Sequence, residues 1–460
     1  MKTKIIFICI FAIVTSCNKW LDIELEDRVD EKKLYGTATG FYESLAGVYS
    51  SMADSLMYGS VMTFQHIDLL GQYYSYASTT SGAYAYLLNF DYENNSVKSV
   101  IAGIWSRAYK CIAQVNNILE WTETNHQVLT AVQRDHIRGQ AIALRAFLHF
   151  DLYRLFSPDV KRSPDALAIP YNKTFGVSTP PMYTVQEVIQ LIINDLREAE
   201  ALLGNVPESA NEVYIEPYSC MNLWAVKAML ARAYQARGEY GKAISTAKEV
   251  LASSKFRMLQ FEDIDKEESE LDALFSSEHI FSLRNSKLRD ICQRLFRDYV
   301  TTGSRTPAPL NFVSYSAICD GNNDDARLAV WFPGSFMKYF YENSDMFYRK
   351  MPMIKLSEMY LIVAECSFES DDPDTALAYI NLLRDKRVRN NTHLQYISKE
   401  TILQEMRREY LGEGQMWYAY KRNFAPLPSD SPEGIVPPSD AIFVFPLPDA
   451  EIEDGYRNIN

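Results

Sequence analysis

Past its first fourteen residues this chain has no long apolar run, and the run it does have is short. Ile5 to Val14 is uninterrupted hydrophobe, about half of the ~20 residues a helix needs to cross a bilayer. Signatures of catalysis are missing as well. There is no HExxH, no GxSxG, no phosphate-cradling GxxxxGK[ST] and no CxxC, so zinc-peptidase, serine-esterase and P-loop chemistry lack their usual sequence support. "GEYGKAIS" at 238–245 imitates the P-loop without its spacing. His66, His126, His136, His149, His279 and His393 include no pair at ligand spacing on one helix face. "DGNNDDARLAVW", from Asp320, starts like a calcium loop. It lacks the sixth-position glycine and puts Trp331 where the bidentate glutamate belongs, so it reads as a polar turn. Positive charge is in deficit: 46 Lys and Arg stand against 59 Asp and Glu, a net charge of −13. Such a surface repels phosphate backbones and argues against a nucleic-acid partner. No cofactor and no metal are expected.

The start of the chain is more specific. Lys2 and Lys4, the apolar run, and then Thr15 and Ser16 describe a secretory signal over 1–16. "VTSC" resembles the lipobox of bacterial lipoproteins, which makes Cys17 the expected lipidation site and new N-terminus. An ordinary signal with Cys17 incidental is the alternative. Cys111, Cys220, Cys292, Cys319 and Cys366 remain, several among apolar neighbours, where a small buried thiol is the default. A Cys292–Cys319 bridge stays open.

Helical periodicity dominates the rest. "TVQEVIQLIINDLREAEALL" puts Val185, Val188, Ile189, Ile192, Ile193, Leu196 and Ala199 on one stripe, with Thr184 and Glu187 placed as a capping box. Similar stripes run through 98–121, 129–156, 219–237, 240–254, 353–368, 373–389 and 398–411, and Asp372-Pro373 is a helix start. "AIFVF" at 441–445 is the best strand. Ala231 and Ala243 flank a turn at Gly238, and Ala364 and Ala376 flank "DDPD" at the same spacing. Small residues there let two helices approach closely, the packing of a tetratricopeptide repeat. The fold expected is mainly α, a tetratricopeptide-like helical scaffold with long irregular loops and few short strands. Residues 17–460 form one domain: helices mainly over 98–254 and 351–423, loop-rich binding elements over 57–97 and 255–350, and a proline-rich segment over 424–460. Long loops in an ordered chain are usually functional.

Aromatics are in excess, with 30 Tyr, 23 Phe and 6 Trp. "GQYYSYASTTSGAYAYLLNFDY" sets Tyr73, Tyr74, Tyr76, Tyr84, Tyr86 and Tyr92 among Gln, Ser, Thr and Gly. Rings with such neighbours suit a binding surface for sugar rings or peptides, and filling a loop's own small core is the competing reading. A second group lies in "LNFVSYSAICD" and "AVWFPGSFMKYFYENSDMFYRK", where Tyr315, Trp331 and Phe332 are the rings expected to be presented. Asp68 and Asn311 are the polar groups expected to orient a ligand.

At "YRKMPMIKLSEMYLIVAECSF" (348–368) the sequence resembles the SusD/RagB family of outer-membrane nutrient-binding lipoproteins. "IWSRAYKCIAQVNNIL", "RGQAIALRAFLHFDLYRLF", "YTVQEVIQLIINDLREAEALL", "LWAVKAMLARAYQARGEYGKAI" and "LQEMRREYLGEGQMWYAYKR" follow that family's pattern in order. Met416 stands where the family often has arginine, and "EDGYRNIN" lacks its usual closing pattern. Arg145, Glu358 and Glu365 sit on apolar helices, where paired buried charges are the expected reading. The resemblance implies a lipid-anchored, surface-exposed protein of the cell outer membrane. Such a protein captures glycan and delivers it to a SusC-like TonB-dependent transporter, without being an enzyme. Residues 66–92 occupy the position where relatives present ligand-binding residues. A peptide ligand, a helical glycoside hydrolase or lyase, and a scaffold whose only partner is the transporter are the alternatives.

Overall fold

Side-chain caps fix where several of the long helices begin. Thr184 and Glu187 form the reciprocal box, with the Thr184 amide donating to Glu187 Oε2 at 2.8 Å. Thr130 and Gln133 do the same, and Asp372 accepts from the Thr375 amide with Pro373 in the first turn. The computed structural model describes residues 31–455, apart from 77–78, 80–81, 177–178, 208, 211–216, 268–270, 302–303, 315–317, 320–321 and 341–348. Cys17 and Tyr315 lie outside the described residues.

The scaffold is carried by helices α1 (Ala38–Met52), α2 (Asn95–Thr124), α3 (Ala131–Phe156), α4 (Val185–Gly204) and α5 (Leu223–Arg237), then α6 (Tyr240–Leu251), α7 (Leu356–Glu369), α8 (Pro373–Arg384), α9 (Lys399–Glu409) and α10 (Met416–Asn423). Helices α2 to α8 stack in chain order, each on the next, so the pile continues from α6 to α7 across the long insertion between them. Ala231, Ala243, Ala364 and Ala376 are all fully buried, as the hairpin spacing requires. Gly238, at φ +83°, ends α5 and turns the chain into α6. Gly139 lets α3 and α4 meet: a Cβ there would stand 2.6 Å from Leu203 Cγ.

Among the described residues three two-stranded antiparallel ladders accompany the helices: β1 (Leu167–Pro170) with β2 (Met182–Thr184), β3 (His279–Arg284) with β6 (Lys350–Lys355), and β4 (Tyr299–Thr301) with β5 (Ser304–Thr306). Two elements differ from the sequence reading. The stripe from 353 begins as β6, whose residues are buried from Met351 to Lys355, and α7 starts only at Leu356. "AIFVF" is not a strand: Asp440–Phe443 is a single helical turn. That turn puts Phe443 against Trp417 at 4.9 Å, and among the described residues no neighbouring strand pairs with Val444 or Phe445. Packing thus overrides the β preference of a short apolar run.

The core is apolar but laced with ion pairs. Arg145 pairs with Asp195 at 2.7 Å, which also accepts from the Tyr171 hydroxyl at 2.7 Å. Glu358 pairs with Arg232, and Glu365 with Arg422 at 2.6 Å. The largest network centres on Glu409, which accepts from Arg387 and Lys355 at 2.9 Å each and from Arg327 at 3.1 Å. Arg387 also grips Glu278 with two bonds of 2.8 and 2.7 Å. These cations hold the Glu409 carboxyl well below the usual carboxylate range, against the opposing effect of its burial. Cys111, Cys220, Cys292, Cys319 and Cys366 are buried, and no disulfide joins Cys292 to Cys319.

Candidate functional site

The two aromatic segments of the sequence meet. Segment 73–75 pairs with 311–313: the Ser75 amide donates to Asn311 O at 2.8 Å, and the Val313 amide donates to Tyr73 O at 2.9 Å. The Tyr74 and Phe312 rings lie 4.6 Å apart across this short pairing. From the other side Asp430, in the proline-rich segment, accepts from Ser75 Oγ at 2.9 Å and the Tyr76 amide at 2.8 Å. Arg407 fixes the preceding turn by donating to Gly71 O at 2.8 Å and to Gln72 O.

Beside this junction opens a pocket of ≈ 340 Å³. Phe296, Phe312, Phe332 and Phe336 form its walls, and Asn311 and Ser335 lie on its lining. Phe312 and Phe336 are 4.4 Å apart, and Phe332 meets Phe312 edge-on at 5.5 Å and 88°. Phe312 and Phe332 are half-buried, whereas Asn311 is exposed. Arg297 holds one wall by donating to Ser335 Oγ at 2.7 Å and Phe336 O at 3.0 Å. The arrangement presents flat apolar faces next to amide and hydroxyl groups. It can stack a ring and hydrogen-bond that ring's polar edge.

The expected site residues divide. Asn311 lies in the pocket. Tyr84 and Tyr86 lie on the helix Gly82–Leu88, outside it, with Tyr86 45% exposed. Tyr84 accepts from Gln65 Nε2 at 2.7 Å and its ring lies 5.6 Å from that of His66. Tyr76 is half-buried.

Four others are corrected, since they are core residues with no face for a ligand. Tyr73 is fully buried, its hydroxyl donating to Arg407 O at 2.6 Å. Tyr74 is buried with its hydroxyl on Phe64 O. Trp331 donates to Ala273 O at 2.8 Å and stacks on Phe275 at 5.2 Å. Asp68 is fully buried and accepts from the Gly414 amide at 2.9 Å. Burial pushes its carboxyl well above the usual range, against the opposing pull of the Gly414 and Gly412 amides and Lys338. Gly414 (φ +70°) permits that contact, because a Cβ there would fall 2.7 Å from Met62 O.

The sequence reading singled out Phe332 but passed over Phe312, Phe336, Phe296 and Arg297. Their signal was present in the adjacency of Phe312 to Asn311 and of Phe336 to Gly334-Ser335, polar residues that keep a ring near the surface. Among the described residues no helix is long and apolar enough to cross a membrane.

Comparison with known proteins agrees with this architecture. Residues 19–235 match the SusD-like family model described as starch-binding associating with outer membrane, and residues 338–454 match the SusD family model. SusD-like protein P38 of Formosa agariphila is 22% identical over 329 residues, a match that covers 70% of this chain and 55% of that protein. The chain thus spans about half the length of the curated relative it matches. A SusD superfamily protein of Bacteroides thetaiotaomicron superposes with a TM-score of 0.74 at 19% identity, over 91% of this chain and 98% of the other. A SusD-like carbohydrate binding protein of Bacteroides vulgatus gives 0.72 at 20% identity, over 91% and 97%. With two SusD models matched in chain order and together spanning most of the chain, this chain belongs to the SusD/RagB family.

Proposed function

We propose that this protein captures glycan at the outer-membrane surface, held there by lipid on Cys17, and delivers it to a SusC-like TonB-dependent transporter. The observation that carries the reading is the pocket of half-buried Phe312 and Phe332 beside exposed Asn311. Sugar rings have apolar C–H faces and a polar rim, and they match such a wall. The pocket volume is at the low end of the ~300–1,000 Å³ typical of small-ligand sites, which suits part of an oligosaccharide. The solved Bacteroides vulgatus relative is itself described as carbohydrate binding, which supports the same ligand class. No covalent step is required, since capture and hand-over need only affinity. Lipid contributes roughly 0.8 kcal/mol per buried methylene, so more than one acyl chain at Cys17 gives a durable tether.

The test is calorimetric titration of oligosaccharide and peptide panels against the wild type and the double variant N311A/F332A. A glycan binding the wild type and at least about tenfold more weakly to the variant is the expected result. Binding by peptides alone moves the ligand class, sugar product in the incubation makes the protein an enzyme, and a flat response to both panels leaves only a transporter-docking scaffold. For the anchor, C17A is expected to leave the membrane fraction; retention there refutes lipid tethering.

A further inference from the structure

Away from the aromatic pocket, a small cavity lies inside the helical stack where α3, α5, α7 and α10 converge. Its volume is ≈ 50 Å³, several times the ~10–15 Å³ that one water needs. Arg154, Arg232, Lys421 and Arg422 line it against two carboxylates, Asp159 and Glu358. Most of this charge is already spoken for. Glu358 pairs with Arg232. Asp151 and Glu365, from behind the wall, pair with Arg154 and Arg422. Asp159 accepts from the Lys161 amide at 3.0 Å.

What sets the cavity apart is its surplus of unpartnered polar groups, all of them able to donate. Four lining groups have a buried polar atom with no partner: Gln235 Nε2, Arg154 Nε, Ser157 Oγ and Tyr418 OH. Gln235, Ser157 and Tyr418 are 4%, 0% and 3% exposed, so bulk water does not satisfy them. Lys421, 5% exposed, donates one bond to Arg154 O at 2.6 Å, which leaves two of its three ammonium hydrogens for another acceptor. Buried donors left unmade are costly, and here they gather around one space from two helices and a helix end. The Arg154 guanidinium is held in place over the Tyr418 ring at 3.6 Å and by Gln415 Oε1 at 3.1 Å, so this donor is fixed in advance.

We propose that this cavity binds a small oxyanion, a phosphate or carboxylate group, whose oxygens accept from Arg154, Gln235, Ser157, Tyr418 and Lys421. The site is separate from the aromatic pocket, sharing none of its lining residues, and it needs no glycan. Burial draws the Lys421 ammonium down to about 7 against the pull of Asp159 and Asp440. An anion in the cavity adds the near charge that would restore its proton.

Calorimetry with inorganic phosphate and, separately, with acetate tests the proposal and tells the phosphoryl from the carboxyl form. Saturable binding of one of them is expected. Tyr418→Phe and Gln235→Leu each remove an unpartnered polar group with little change of volume, so the fold should persist, checked by circular dichroism. Each should weaken binding about tenfold. Crystals grown in selenate give a readout independent of the variants: an anomalous peak in the cavity, displaced by phosphate, is the expected result. Absence of saturable binding by either anion, affinity unchanged in both folded variants, or a cavity holding water alone in those crystals would each overturn it.

Discussion

At the scale of single residues, tyrosine shows why neighbours in sequence are an unreliable guide to exposure. Tyr73 and Tyr74 stand beside Gln72 and Ser75, a context that reads as surface, yet their hydroxyls find backbone carbonyls, at Arg407 and at Phe64, and the rings go inside. A phenol is buried without loss once its one donor is matched, and that match lies some 334 residues away for Tyr73. Tyr74→Ala is therefore expected to cost about 3–5 kcal/mol in urea unfolding. Tyr86→Ala should change stability by less than about 0.5 kcal/mol. Equal effects would contradict the burial described. Histidine supplies a second residue-scale outcome. Burial lowers His66 to about 4, and His149 and His279 to about 3. Their unfolded value is near 6.5, so between there and pH ~4 the unfolded chain binds more protons. Stability contributed by keeping them neutral is present above pH ~6.5 and falls as pH drops, by up to ~1.4 kcal/mol per pH unit for each. Urea midpoints near pH 7 and pH 5 measure this, and His149→Gln should shallow the slope; an unchanged slope counts against it.

At the scale of elements, the helices were legible and the short pieces were not. Caps and a 3.6-residue stripe are local, so α4 starts at Val185 just after Thr184, where the sequence puts its box. β3 and β6 are each only six residues, and both are almost wholly buried, so neither alternates in the way that marks a half-buried strand. The one-turn helix at Asp440–Phe443 carries Phe443 onto Trp417, a contact that no local pattern announces. The pocket was half legible for a similar reason. Asn311 and Phe332 announced themselves, while the walls from Phe296 and Phe336 depend on how the end of the helix Leu288–Phe296 meets the loops around 311 and 335. Glycines inside helices give a direct test of packing between elements. Gly139→Ala should lower stability by roughly 1–3 kcal/mol, because the new methyl meets Leu203. Gly103→Ala, with nothing within 4 Å, should raise stability by up to about 1 kcal/mol from helix propensity alone. A stabilising Gly139→Ala would mean that α3 and α4 do not pack as closely as described.

At the scale of the whole molecule, the Glu409 network joins parts far apart in the chain. Through Arg387, Lys355 and Arg327 it links α9 to β6, to the residue before β3, and to the short helix Ala326–Trp331. Removing one member leaves the others charged and dry. Glu409→Ala is expected to cost about 3–5 kcal/mol and to show as one cooperative loss in calorimetry, not as melting of a single loop. A loss below ~1 kcal/mol would show that the network is dispensable. The buried cysteines bear on handling the protein as a whole. Every thiol among the described residues is enclosed. A form lacking residues 1–17 should therefore stay unmodified by maleimide reagents while folded. A single cysteine introduced at exposed Tyr86 or Tyr396 then becomes the sole point of attachment for a fluorophore. The protein has in effect reserved its surface for whichever one reporter an experimenter chooses to place there, and its motion on binding could be followed by light.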